Sequence, residues 1–235
     1  MQPHSGIVTG GTPVSVSGAW FKYMPEYGVV PHCKFGKKIV RALFDSTVRI
    51  VCPAPPSPEG MELGTLYPFE ISMNGVDWTT TGFNFFYYET PTLDYINPTL
   101  GPEAGGTMIH IYGQNFTNMS NPSEFNCKFT AVHLPIPPKK MPGIYINSTT
   151  IMCASPGGWG QGDAVRVQVT FNGGDYVDNN FTFTFFSISR AMPRSGPADG
   201  TGGDIIVEGF GFKNDSGALC KINNTDYEPT SITWN

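Results

Sequence analysis

The chain has 235 residues, 14 Lys and Arg against 19 Asp and Glu, a net charge of −5, and only 14% charged residues. The acidic surplus offers no match for a phosphate backbone, which argues against nucleic acid as a partner, and no run approaches the roughly 18 apolar residues of a membrane span. Abundant glycine (28) and proline (21), with 13% aromatics, suit many short strands joined by tight turns, and at roughly 100 to 150 residues per domain the length holds about two domains.

In chain order, Met1 to Gly11 lacks the basic and apolar regions of a signal peptide, so a secreted protein would show here an excerpt of a longer chain. Ser5-Gly-Ile-Val-Thr-Gly-Gly-Thr12 leads into a period-2 strand that should turn Val14 and Val16 inward, and then into Gly18-Ala-Trp-Phe21. Cys33-Lys-Phe follows, then Ile50-Val-Cys52-Pro-Ala-Pro. Met73-Asn-Gly-Val-Asp-Trp78 predicts a tight hairpin, because a type I′ turn needs positive φ at both central residues and Asn-Gly supplies it. Phe83-Asn-Phe-Phe86 reads as a closing aromatic strand.

The same series then returns about 95 residues later. Leu100-Gly-Pro-Glu-Ala-Gly-Gly-Thr107 leads to Gly113 and Phe116 with Ile109 and Ile111 facing inward, and Cys127-Lys-Phe, Cys153-Ala-Ser-Pro, Phe171-Asn-Gly-Gly-Asp-Tyr176 and Phe181 to Phe185 follow in order. A third series begins with Ser195-Gly-Pro-Ala-Asp-Gly-Thr201, Gly209 and Phe212, with Ile205 and Val207 inward, and reaches Cys220-Lys-Ile. The glycines of Gly101 to Gly113 lack both Gly-x-x-x-x-Gly-Lys-Ser/Thr and Gly-x-Gly-x-x-Gly, so they read as a turn before a strand rather than a phosphate loop.

This ordered set of landmarks resembles the IPT/TIG family of immunoglobulin-like domains. The resemblance implies an all-β fold of tandem immunoglobulin-like β-sandwiches, with one repeat over 3–90, a second over 91–186, and the N-terminal half of a third over 187–235. The repeat alignment pairs Cys33 with Cys52 and Cys127 with Cys153, leaving Cys220 to await a partner beyond Asn235. Buried free thiols in a reducing compartment are the competing reading, and zinc finds no Cys-x-x-Cys or paired histidines.

Asn-x-Ser/Thr sequons at Asn115, Asn118, Asn147, Asn180, Asn214 and Asn223 predict N-glycosylation and point to the same oxidising, extracellular setting. All six follow residue 110, and the first repeat carries Tyr23 where the second and third carry Asn118 and Asn214. The bare face near Trp20, Lys22 and Tyr23 is therefore expected to contact another unit or chain, unless the pattern drifted without consequence.

No catalytic constellation emerges. His4 and His32 fall in loop-like sequence, His110 should face outward from a strand, and His133 precedes a proline-rich loop, none with a nucleophile at recognisable spacing. Asp175, Asp178 and Asn180 carry oxygens that calcium favours but lack the EF-hand pattern and read as a polar turn. Gly157 to Gly162 and Gly209 to Phe212 read as turns and strand ends, and Cys52 to Pro58 and Leu134 to Pro142 as stiff proline-rich loops, with peptide bait as the other reading.

The expectation is thus a non-enzymatic extracellular protein without cofactor, a structural or adhesive component of a glycosylated filament or cell coat. Its partners would be neighbouring repeats, copies of the same chain and N-linked glycans, with no membrane contact in this segment. The alternative is the stalk of a plexin-like cell-surface receptor ectodomain, since the resembled family includes such stalks.

Overall fold

The computed structural model describes the chain except residues 58–63, 120–122, 160–163, 178, 199–200, 214–216 and 232–235. Asp178, Asn214, Pro58 and the end of the Gly157 to Gly162 string lie outside the described residues.

Strands β1 (Ser5–Ile7), β2 (Pro13–Ser17), β3 (His32–Phe35), β4 (Lys38–Arg41), β5 (Leu43–Ser46), β6 (Arg49–Pro53), β7 (Leu66–Ser72) and β8 (Phe83–Tyr88) build a first sandwich. One layer runs β1-β8-β7-β3-β4 and the other β2-β6-β5. Next come β9 (Thr92–Asn97), β10 (Leu100–Pro102), β11 (Met108–Gln114), β12 (Asn126–Ala131), β13 (Lys139–Asn147), β14 (Thr150–Ala154), β15 (Ala164–Thr170), β16 (Tyr176–Val177) and β17 (Thr182–Met192). Here the layers are β10-β17-β15-β12-β13 and β13-β14-β11-β9, because β13 passes from one to the other. In the first sandwich the same crossing is split into β4 and β5 on either side of Ala42. Residues past Met192 add β18 (Ile206–Phe210), antiparallel to the end of β17, and the pair β19 (Cys220–Ile222) and β20 (Thr225–Tyr227).

Alternation explains the cores. Val14 and Val16 of β2, and Ile109 and Ile111 of β11, are buried while their neighbours face out, since side chains of a strand point to opposite faces. They meet Phe35, Phe69 and Phe85 in the first core, and Phe129, Phe183 and Phe185 in the second. Disulfides Cys33–Cys52 and Cys127–Cys153 tie β3 to β6 and β12 to β14 across these cores, with Cα separations of 6.1 and 6.3 Å.

The glycines prove architectural. A Cβ on Gly10 would lie 2.5 Å from Pro56 N, and one on Gly105 would lie 2.4 Å from Gly157 N, while φ is near +79° at both. Neither position accepts another residue without backbone movement.

Three expectations need correction. Ile205 is 49% exposed and Val207 only half-buried, because among the described residues of the third series no second layer covers β18. His32 opens strand β3 instead of sitting in a loop, with Nδ1 against the Val30 carbonyl at 2.8 Å. The Asn-Gly turns are not type I′: positive φ is found at Gly75 and Gly173 but not at Asn74 or Asn172. The side chain does the work instead. Asn74 Oδ1 accepts from Val76 N (3.0 Å) and Asp77 N (2.9 Å), and Asn172 Oδ1 from Gly174 N (3.0 Å) and Asp175 N (2.8 Å), so the asparagine caps a wider loop.

Candidate functional site

The two sandwiches meet in a polar joint. The second unit's loop from Phe171 to Asp175 seats on the N-terminal strand and Gly-Gly-Thr turn of the first. Asn172 Nδ2 donates to the Ser5 carbonyl at 3.0 Å and to Asp175 Oδ2 at 3.0 Å, and Thr12 Oγ1 donates to the same Asp175 carboxylate. His4 Nδ1 lies 2.9 Å from Glu124 Oε1 at the rim. Asn172, Thr12 and Ser5 are all buried here, at 2%, 2% and 4% exposure. A buried polar group left unpaired is costly, and the Thr12 hydroxyl and the Ser5 carbonyl are paired across the joint by Asp175 and Asn172, so these bonds make the relative placement of the units specific.

Beneath the polar contacts lies an apolar contact. Tyr88, the last residue of β8, is buried among residues of the second core and faces Phe171 at a ring distance of 6.3 Å. Phe171 in turn stacks on Phe125 (5.0 Å) and Phe116 (5.6 Å). Ile7 and Phe86 of the first unit also pack against the second core, which makes that core continuous across the joint. Burial holds the Tyr88 hydroxyl well above the ordinary tyrosine range, with the Asp175 and Glu124 carboxylates adding to it.

Among the described residues no group of three or more His, Cys, Asp and Glu is placed to hold a metal ion, and no helix is long and apolar enough to cross a membrane. His110 faces outward and stacks beside Tyr112 (6.3 Å), which stacks on Tyr95 (4.5 Å).

Residues 91–185 match the sequence model of the IPT/TIG domain. The second unit is an IPT/TIG domain. Similar curated proteins include mouse (Mus musculus) plexin-B3, 34% identical over 84 residues covering 36% of this chain, and human (Homo sapiens) fibrocystin-L, 29% identical over 157 residues covering 65%. The chain spans only 4% and 3% of the lengths of these relatives. Among solved structures, the plexin A4 extracellular region aligns with 96% of this chain and 21% of its own, at 16% identity and a TM-score of 0.44.

On the IPT/TIG domain the sequon asparagines Asn115, Asn118, Asn147 and Asn180 are exposed, as is Asn223 beyond it. Asn115 Nδ2, the atom a glycan would occupy, donates to the Thr90 carbonyl at 3.2 Å, and Asn147 Oδ1 accepts from Thr149 N at 2.9 Å. The fifth cysteine, Cys220, is exposed and unpaired.

The proposed bare face of the first unit carries Trp20 at 85% exposure and Tyr23 at 43%. Tyr23 accepts a hydrogen bond from Arg41 Nη2 at 2.8 Å and stacks on Phe44 at 6.2 Å. Sequence reasoning found the hairpin signature but not its role at the joint. The available signal was the recurrence of Thr12 as Thr107, of Asn74 as Asn172 and of Asp77 as Asp175, three pairs of polar residues at the repeat spacing.

Proposed function

We propose that this segment is a non-enzymatic extracellular spacer that sets the distance and angle between other parts of a longer protein, as in the stalk of a plexin-like receptor ectodomain. The observation that carries the reading is the closed joint, because buried hydrogen bonds and a shared aromatic core turn two flexible modules into a stiff element. Two disulfides support an oxidising compartment for such a chain, and the plexin-B3 similarity supports a cell-surface setting. The exposed sequon asparagines are proposed to carry N-linked glycans.

A second reading, a glycosylated filament or cell coat, is favoured by the sequon-free aromatic patch around Trp20 and Tyr23, since large exposed apolar patches mark interaction surfaces. Its partners would be neighbouring repeats or copies of the chain. Electron microscopy of the native full-length protein separates the two: single rods ending in a membrane patch or globular head support the stalk, and long beaded fibres with a fuzzy coat support the filament. Tyr23→Asn with Pro25→Thr places a sequon on the bare face; assembly that persists with a glycan there removes that face from either scheme.

A further inference from the structure

The halves of the joint are each built twice in this chain, yet only one pair is joined. The loop that seats on the first unit is organised by Thr170 Oγ1 to Asn172 Oδ1 (3.1 Å) and Asn172 Nδ2 to Asp175 Oδ2 (3.0 Å). The first unit's own loop repeats this with Ser72 Oγ to Asn74 Oδ1 (3.1 Å) and Asn74 Nδ2 to Asp77 Oδ2 (2.9 Å). The receiving surface is likewise duplicated. A Cβ on Gly6 would lie 2.5 Å from Thr12 Oγ1 and 2.9 Å from Phe85, and one on Gly101 would lie 2.3 Å from Thr107 Oγ1 and 2.6 Å from Phe183. In both, a short strand runs parallel to the closing strand, β1 on β8 and β10 on β17.

Burial distinguishes the joined copy. Asn172 is 2% exposed, whereas Asn74, Gly75, Val76 and Asp77 are all exposed. The tip of the free loop is also more apolar than its seated counterpart: Val76, 76% exposed, stands where the second unit has Gly174. A Cβ on Gly174 would meet Pro3 Cγ at 3.9 Å, an ordinary contact, so the joint has room for a side chain at this position and offers it a proline.

We propose that the Asn74–Asp77 loop is a docking surface whose partner is another IPT/TIG-type unit, engaged through the strand carbonyl and threonine hydroxyl that stand at Ser5 and Thr12 in this chain. Asn74 would then donate to that carbonyl, Asp77 would accept from that hydroxyl, and Val76 would cover the proline two residues before the carbonyl. The partner is committed by chemistry the chain already displays, since the same donor, acceptor and turn are seated on a surface of this build 98 residues later. This inference rests on the reading of units stacked end to end, but it concerns only how one unit recognises the next.

The test supplies the missing surface. Residues 1–97 are added ahead of Pro3 of the full chain, keeping the repeat spacing, with Val76→Lys in the added copy so that its loop peptide differs in mass from the original. Hydrogen exchange of the original 72–79 segment is then compared with that in the unextended chain. Docking predicts exchange slowed about tenfold, towards the behaviour of 170–177. Thr12→Val in the added copy, which keeps shape but removes the hydroxyl, should restore fast exchange while leaving 170–177 protected. Unchanged exchange at 72–79 with 170–177 still protected overturns the proposal. Failure there leaves the spacer reading standing, since that reading is decided by microscopy of the native protein.

Discussion

The two asparagine loops have nearly the same internal hydrogen bonds and opposite surroundings. Asn74 sits in solvent above Met73, while Asn172 is buried above Phe171, which stacks on Phe125 and Phe116. One local design therefore serves as a surface turn or as part of an interface, and the neighbour decides which. The lesson is that the turn is prefolded, so docking need not order it, which lowers the entropic cost of joining units.

The largest break in this comparison should come from Phe171→Ala. Removing a fully buried aromatic costs about 3 to 5 kcal/mol, and Met73→Ala, at a half-buried site, should cost less than half of that, both read from urea unfolding. Next are the disulfides. Cys127→Ala with Cys153→Ala should cost about 3.5 kcal/mol and Cys33→Ala with Cys52→Ala about 3.2, because the chain-entropy term grows only slowly with loop length and the separations are 26 and 19 residues.

Asn172→Ala and Asn74→Ala lose the same turn bonds, but only the first leaves the buried Ser5 carbonyl without its side-chain donor. The difference between them should be about 1 kcal/mol, and Asn172→Ala should also broaden the inter-unit angle seen by small-angle scattering. Equal losses would show that the joint contributes nothing beyond the turn.

Alkaline titration sharpens the contrast between the core and the surface. Tyr87 is buried, its hydroxyl donating to the Pro55 carbonyl at 2.9 Å, and burial raises its pKa far above the ordinary value, with Tyr67 adding to it. A raised folded pKa means the unfolded chain loses its proton first, so stability should fall as pH rises above about 10. Tyr87→Phe should reduce that slope in thermal melts between pH 9 and 11.

The smallest effect lies on the outer sheet faces. Lys34 forms an ion pair with Glu70 and lies over Trp78, whereas its counterpart Lys128 stands opposite Gln168 and lies over Tyr176. Partial burial, Lys140 and Arg166 lower the Lys128 pKa. Gln168→Glu should stabilise the second unit by at most about 1 kcal/mol, and Glu70→Gln should destabilise the first by a similar amount.

Much of the fold was legible because β-structure writes itself locally. Alternation at Val14 and Val16 and at Ile109 and Ile111 identified the inward faces, and the repeated Cys-Lys-Phe and Cys-x-x-Pro landmarks gave the pairing of Cys33 with Cys52 and Cys127 with Cys153. The turn geometry is not decided by Asn-Gly, which is consistent with two solutions, one using backbone φ and one using the asparagine side chain as a cap. The same alternation points Ile205 and Val207 inward, yet a strand's apolar face is buried only when a second layer exists to cover it.

By itself the sequence determined which residues alternate, which glycines must turn and that the units repeat, since these depend on sterics within a few residues of each position. Only the tertiary structure decided that Asn172, Asp175, Ser5 and Thr12 form one site. Hydrogen bonding between residues 167 and 163 positions apart leaves no periodic trace. The same four residue types are compatible with a free turn, as Asn74 and Asp77 show in this chain.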